Sequence, residues 1–224
     1  MRRLPDAAPA IDAEEVQQDL RAELLRRAER DQAARRTDDA ETISQVDAEN
    51  LPWLTDLIAR IGWPGRSVAG ADGAGAAWLL VQHADSDPGF QRRCLDLLTA
   101  AAAQGEASST HVAYLTDHVL VAEGKPQEYG TQITGRKGRW EPLPLRDPGS
   151  VDERRADVSL GPLADYAAGF AADGPPEPPV VSCPTCQHAV PIWLPDPGEE
   201  AVADRPGCGR TLRIGAWRRQ ASGD

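Results

Sequence analysis

Lysine is nearly missing from this chain: Lys125 and Lys137 are the only two, and every other basic side chain is an arginine. With abundant alanine and proline, that bias matches GC-rich bacterial coding and says little about chemistry. Positive charge is short overall, since 24 basic side chains face 35 acidic ones for a net charge of −11. Such a molecule repels nucleic acid and anionic lipid. A small local exception is the group Arg205, Arg210, Arg213, Arg218 and Arg219. No apolar run approaches the length of a membrane span, and the opening MRRLPDAAPAIDAEE lacks the apolar stretch of a secretory signal, so a soluble cytoplasmic protein is expected. Four cysteines in 224 residues do not make a secreted disulfide framework, and Cys94, alone in FQRRCLDLL, reads as a buried inert thiol. Several catalytic signatures are also missing. The glycines of GADGAG lack the GxGxxG spacing, no glycine-rich loop ends in Lys-Ser or Lys-Thr, and there is no HExxH or GxSxG word.

What is present is mostly helical pattern. Asp12 and Glu15 have capping-box spacing, and Val16, Leu20, Leu24 and Ala28 then form one narrow apolar stripe, which predicts a docked surface helix over 12–36. A second helix is expected after Asn50, with Leu54, Leu57, Ile58 and Ile61 on one face and Gly62 and Pro64 ending it. GWPGRSVAGADG reads as an irregular loop, and AGAAWLLVQH as a buried central helix apolar nearly all round. Asp87 then caps a fourth helix with Pro88 in its first turn, and HVAYLTDHVLVAEG makes a fifth. EYGTQI and RWEPLPL around TGRKG predict a β-hairpin. Ser150 and Glu153 suggest a further capping box, opening a sixth helix interrupted at Gly161 and Pro162.

These elements imply a mainly α (α+β) fold: a flexible N-terminus at 1–11, a helical domain with one β-hairpin at 12–172, a proline-rich linker at 173–180 that packs on neither neighbour, and a small tail at 181–224. The words DQAARR, VDAENLPWL, IGWP, AWLLVQHADSDPGFQ, AYLTDH, GKPQEYGTQ and VDERR follow one another along the helical domain. In order and spacing they resemble a bacterial family known only as a domain of unknown function, DUF6624. The resemblance covers nearly all of 20–170; it implies arginine after the YLTD word, where this chain has His118.

The polar residues of these words are the candidate site. His83 ends an apolar helix, where imidazole gains nothing in packing over leucine, so it reads as a general acid or base, with Asp117 as its partner. Gln91, Gln127, Tyr129 and Gln132 supply the paired donors and acceptors that would hold a small polar or peptide-like substrate. The expected cleft lies between the fourth and fifth helices and the hairpin, and the expected chemistry is hydrolysis or isomerisation. The alternative is a non-catalytic interaction module in which the same residues form a sealed hydrogen-bonded network. The tail, CPTCQHAVPIWLPDPGEEAVADRPGCGR, resembles a zinc ribbon with Arg205 in place of one cysteine. Either Cys183, Cys186, His188 and Cys208 hold a structural zinc, or the second knuckle has decayed; zinc is expected, because the tail has few core residues to fold with. Ribbons of this kind bind protein partners or nucleic acid, and in so acidic a chain a protein partner is the expectation.

Overall fold

The computed structural model describes residues 13–37, 39–136, 138–171, 174–178, 180–182, 189–193, 201–204 and 211–214. Helix α1 (Ala13–Arg36) buries Leu24 and Ala28 on its apolar stripe, with Val16 left exposed at the outer end. It packs most extensively on α3 (Arg66–Gln82), which also touches α2 (Ala40–Ile61), α4 (Pro88–Ala103) and α5 (Ser109–Ala122). The central place of α3 follows from its composition. Ala69, Ala74, Ala76, Ala77, Leu80 and Val81 are all buried, and small side chains let neighbouring helices come close. Leu54, Leu57, Phe90, Cys94, Leu98, Leu115 and Val119 complete the core.

Two boundaries differ from the sequence expectation. The second helix starts at Ala40, ten residues before Asn50, because Asp39 caps it through the Thr42 amide. Pro52 lies inside it rather than marking an end. The turn around Pro52 is braced from α1 by Arg27, whose guanidinium lies 4.3 Å from the centre of the Trp53 ring and donates to Asn50 Oδ1 at 3.0 Å. Of the segment expected to be an irregular loop, residues 62–65 are one, but residues 66–73 are the first part of α3. Gly70, at φ 73°, carries a kink there that side chains other than glycine rarely allow. Arg21 clamps the kink with a bidentate pair to Asp72 at 2.8 and 2.5 Å.

Several other expectations are met, and two are not. Asp87 accepts from the Phe90 amide at 2.8 Å, with Pro88 opening α4. Strands β1 (Ile133–Arg136) and β2 (Arg139–Pro142) form the antiparallel hairpin. Helices α6 (Val151–Asp157) and α7 (Leu163–Ala171) part at Gly161 and Pro162. The Ser150 capping box does not form: a 3-10 turn at Pro148–Ser150 precedes α6, and the Ser150 hydroxyl donates to Asp147 and accepts from Arg154. The proline-rich stretch also does more than join segments. Trp140 Nε1 donates to Gly174 O at 2.9 Å, and Pro176 is packed so closely on Gly135 that a Cβ there would sit 2.4 Å from it. In the tail, β3 (Val180–Ser182) pairs antiparallel with β4 (Ala189–Pro191), and β5 (Ala201–Asp204) with β6 (Thr211–Ile214). Asp12 and the expected zinc ligands Cys183, Cys186, His188 and Cys208 lie outside the described residues. Among the described residues no helix is long and apolar enough to cross a membrane.

Candidate functional site

The polar words sort into two clusters. One is built around Asp117, which sits on α5 and is fully buried. Its carboxylate accepts from the amides of Glu128, Tyr129 and Thr131 at 2.7, 3.0 and 2.8 Å, and from the Thr131 hydroxyl at 3.0 Å. Arg155, also buried, approaches the same loop from α6 and donates to Tyr129 O at 2.7 Å and Gly161 O at 2.6 Å. Arg154 donates to Glu128 O, and the Tyr166 hydroxyl to Thr131 O. Gln127 pins the start of the loop to its end: its amide donates to Gln132 O and Leu143 O and accepts from Gln132 N. Gly130 turns the loop at φ 70°, where a Cβ would stand 2.8 Å from Leu163. The loop has no regular secondary structure, so these side chains take over the bonding a helix or strand would give its backbone.

The second cluster gathers where α1, α2 and the end of α3 meet. His83 is the C-terminal cap residue of α3, and its Nδ1 lies 2.8 Å from Asp31 Oδ2. Asp31 is only 1% exposed, whereas the His83 side chain keeps 22% of its surface. Arg35, one turn beyond Asp31 on α1, lies 2.9 Å from the same ring nitrogen and pairs with Asp47 of α2 at 2.8 Å and Asp31 at 3.3 Å. A single ring nitrogen cannot serve both Asp31 and Arg35. Asp31 Oδ2 also accepts from Gln32 Nε2 at 3.2 Å, but the ring is its nearer partner and Arg35 has two carboxylates of its own, so the proton is assigned to Nδ1. The lone pair is then on Nε2, which has no partner among the described residues. Two residues on, Asp85 Oδ1 lies 2.7 Å from His118 Nε2 of α5 and accepts from Gln91 Nε2 at 3.2 Å.

The carboxyls respond to this setting in different ways. Burial alone drives Asp31 upward, but the His83 bond and the Arg35 charge outweigh it and hold Asp31 below the ordinary carboxylate range. The His118 bond, helped by Gln91 and by the nearby His83, holds Asp85 down against its own desolvation. Asp47 goes the other way, pushed up by burial and by the Asp31 charge despite Arg35. Burial raises the Cys94 thiol to about 12, in keeping with an inert core residue.

The structure therefore divides residues that sequence reasoning had joined. His83 does not pair with Asp117, because Asp31 takes its Nδ1 while Asp117 is filled by loop donors. Gln91 does lie beside the histidine site, but its amide nitrogen also holds the last carbonyls of α3, Val81 O and Gln82 O. Gln127, Tyr129 and Gln132 belong to the loop around Asp117. Asp31, Arg35, Asp47, Asp85 and His118 were missed as site residues. A signal for two of them was legible: Asp31 and Arg35 continue the stripe of Leu24 and Ala28 at helical spacing, so charge falls on a face that should be apolar.

Fold and site together define a helical protein whose central helix ends in two aspartate–histidine pairs. A model described as a family of unknown function, DUF6624, matches residues 18–172, and the chain belongs to that family. No curated protein and no solved structure matches the chain.

The acid limb of stability tests the Asp31 pairing. A carboxyl held below its unfolded value stabilises the fold above the ordinary range and loses that contribution as pH falls through its folded value. Asp31 and Asp85 act in this sense, while Asp47, held high, costs stability at neutral pH and less on acidification. Asp31→Asn should flatten the fall of the urea midpoint between about pH 5 and 2 relative to wild type. An unchanged acid limb would show that Asp31 is not held by His83 and Arg35.

Proposed function

We propose that the chain is a bacterial cytoplasmic enzyme that uses His83 as general acid or base on a small polar or peptide-like substrate, by hydrolysis or isomerisation. The observation that supports this reading is the His83 ring, partly exposed, oriented by a buried carboxylate and with Nε2 free of partners among the described residues. A carboxylate at one ring nitrogen fixes the tautomer and stabilises the imidazolium that forms when the other takes a proton. In this reading Asp31 takes the role that sequence reasoning gave to Asp117. A purely structural histidine would gain most from having both nitrogens bonded and no exposure.

A cell extract serves as the pool of candidate substrates. Purified wild-type protein, incubated with the extract and followed by mass spectrometry, should deplete particular metabolites. With His83→Gln, which keeps volume and polarity, conversion of the same compounds should fall by a factor on the order of 100 while the helical circular dichroism is kept. Equal conversion by both proteins, or none by either, would refute the reading.

A structural zinc in the tail is the second part of the proposal, with Cys183, Cys186, Cys208 and His188 as ligands and a protein as the partner recruited. What supports it is strand pairing: β3 and β4 flank the residues carrying Cys183, Cys186 and His188, and β5 and β6 flank Cys208, the placement expected of two zinc knuckles. Metal analysis of reduced protein should find about one zinc per chain, lost with Cys183→Ser. Protein free of zinc under reducing conditions would eliminate the site.

A further inference from the structure

The pair Asp85–His118 has no part in the reaction outlined above, yet it stands at the same end of α3. We propose that His118 is the second proton carrier of the site, acting opposite His83, so that one imidazole takes a proton from the substrate while the other delivers one. This rests on the acid–base reading of His83.

Each ring has a carboxylate on one nitrogen, although Asp31 is buried whereas Asp85 is 68% exposed. Asp31 fixes His83 through Nδ1 at 2.8 Å, and Asp85 fixes His118 through Nε2 at 2.7 Å. Each histidine keeps 22% of its side-chain surface, and each has one nitrogen, Nε2 of His83 and Nδ1 of His118, with no partner among the described residues. Their spacing is set by short, stiff connections. Asp85 follows His83 by two residues, and the Gln91 amide ties Asp85 to the Val81 and Gln82 carbonyls just before His83. His83 is close enough to help hold the Asp85 carboxyl ionised. The charged groups facing the rings are Asp31 and Arg35 from α1, Asp47 from α2 and Asp85 from the turn after α3. Three carboxylates against one guanidinium leave an excess of negative charge beside the rings.

A neutral and a protonated imidazole in one site perform a balanced step. In an isomerisation, His83 Nε2 accepts a proton from one substrate atom while the His118 Nδ1 proton passes to another, leaving the substrate's composition unchanged. In a hydrolysis, His83 takes the proton of the attacking water and His118 protonates the leaving group. In either case the enzyme ends with its proton moved from His118 to His83 and resets by exchange with solvent.

The experiment follows the ring resonances of His83 by nuclear magnetic resonance in the full chain as pH is varied. His118→Gln keeps volume and a donor for Asp85 but removes the second titrating charge. The His83 midpoint should rise by roughly half a pH unit or more, because a neighbouring positive charge has been removed. Asp85→Asn should move it down. Superimposable His83 curves in wild type and His118→Gln would overturn the pair, whatever the fate of His83 in the extract assay. Coupled curves together with normal metabolite conversion by His83→Gln would overturn the proton-carrier role along with the catalytic reading of His83, whereas superimposable curves with conversion lost would overturn the pair alone.

Discussion

A carboxylate buried without a cationic partner is among the costliest groups a fold can carry, and Asp117, fully buried, has none among the described residues. It is tolerated because four donors from a single loop converge on it. Hydrogen bonds to a charged acceptor contribute about 1.5–3 kcal/mol each, so the loop and the carboxylate stabilise one another. From this contact the geometry spreads outward. The loop, once fixed, offers the Tyr129 carbonyl to Arg155 and the Thr131 carbonyl to Tyr166, which brings α6 and α7 into place. The same loop leads directly into β1, so hairpin and helices share one anchor. On α5 the next residue is His118, whose approach to Asp85 depends on the setting of that helix.

The histidine cluster uses the same resources differently. Asp117 is sealed and saturated, whereas Asp31 is sealed but passes its influence to a ring that reaches solvent. Arg35 offsets part of the charge that this arrangement places in one corner while Asp47 adds to it, and Asp31 is held low as Asp47 is pushed up. One cluster spends its polar atoms on the backbone, and the other leaves one nitrogen of each ring without a partner among the described residues.

Much of the helical framework was legible in the sequence, since apolar periodicity, the Asp87 cap and the hairpin words all report local physics. The first ten residues of the second helix were missed although Asp39 caps it, and Pro52 sits inside that helix where Arg27 braces Trp53 and Asn50, a tertiary contact that no local rule contains. Gly70 misled because a glycine-rich stretch reads as loop when a single kinked glycine between two helical turns is enough. Within the site, the words QHAD and YLTDH drew attention to the right segments and the wrong pairing. Asp117 and His118 are adjacent on a helix and point to different partners, and the true partner of His83 lies 52 residues earlier in the chain. Only the packing of α1 on α3 brings it there.

Amide hydrogen exchange tests the anchoring by Asp117 most directly. In wild type the amides of Glu128, Tyr129 and Thr131, though outside regular structure, should be protected like those of the core helices. In Asp117→Asn they should exchange faster by a factor on the order of 100, with the α1 and α3 amides much less affected. Wild-type exchange at those three amides as fast as in an open loop would contradict the account.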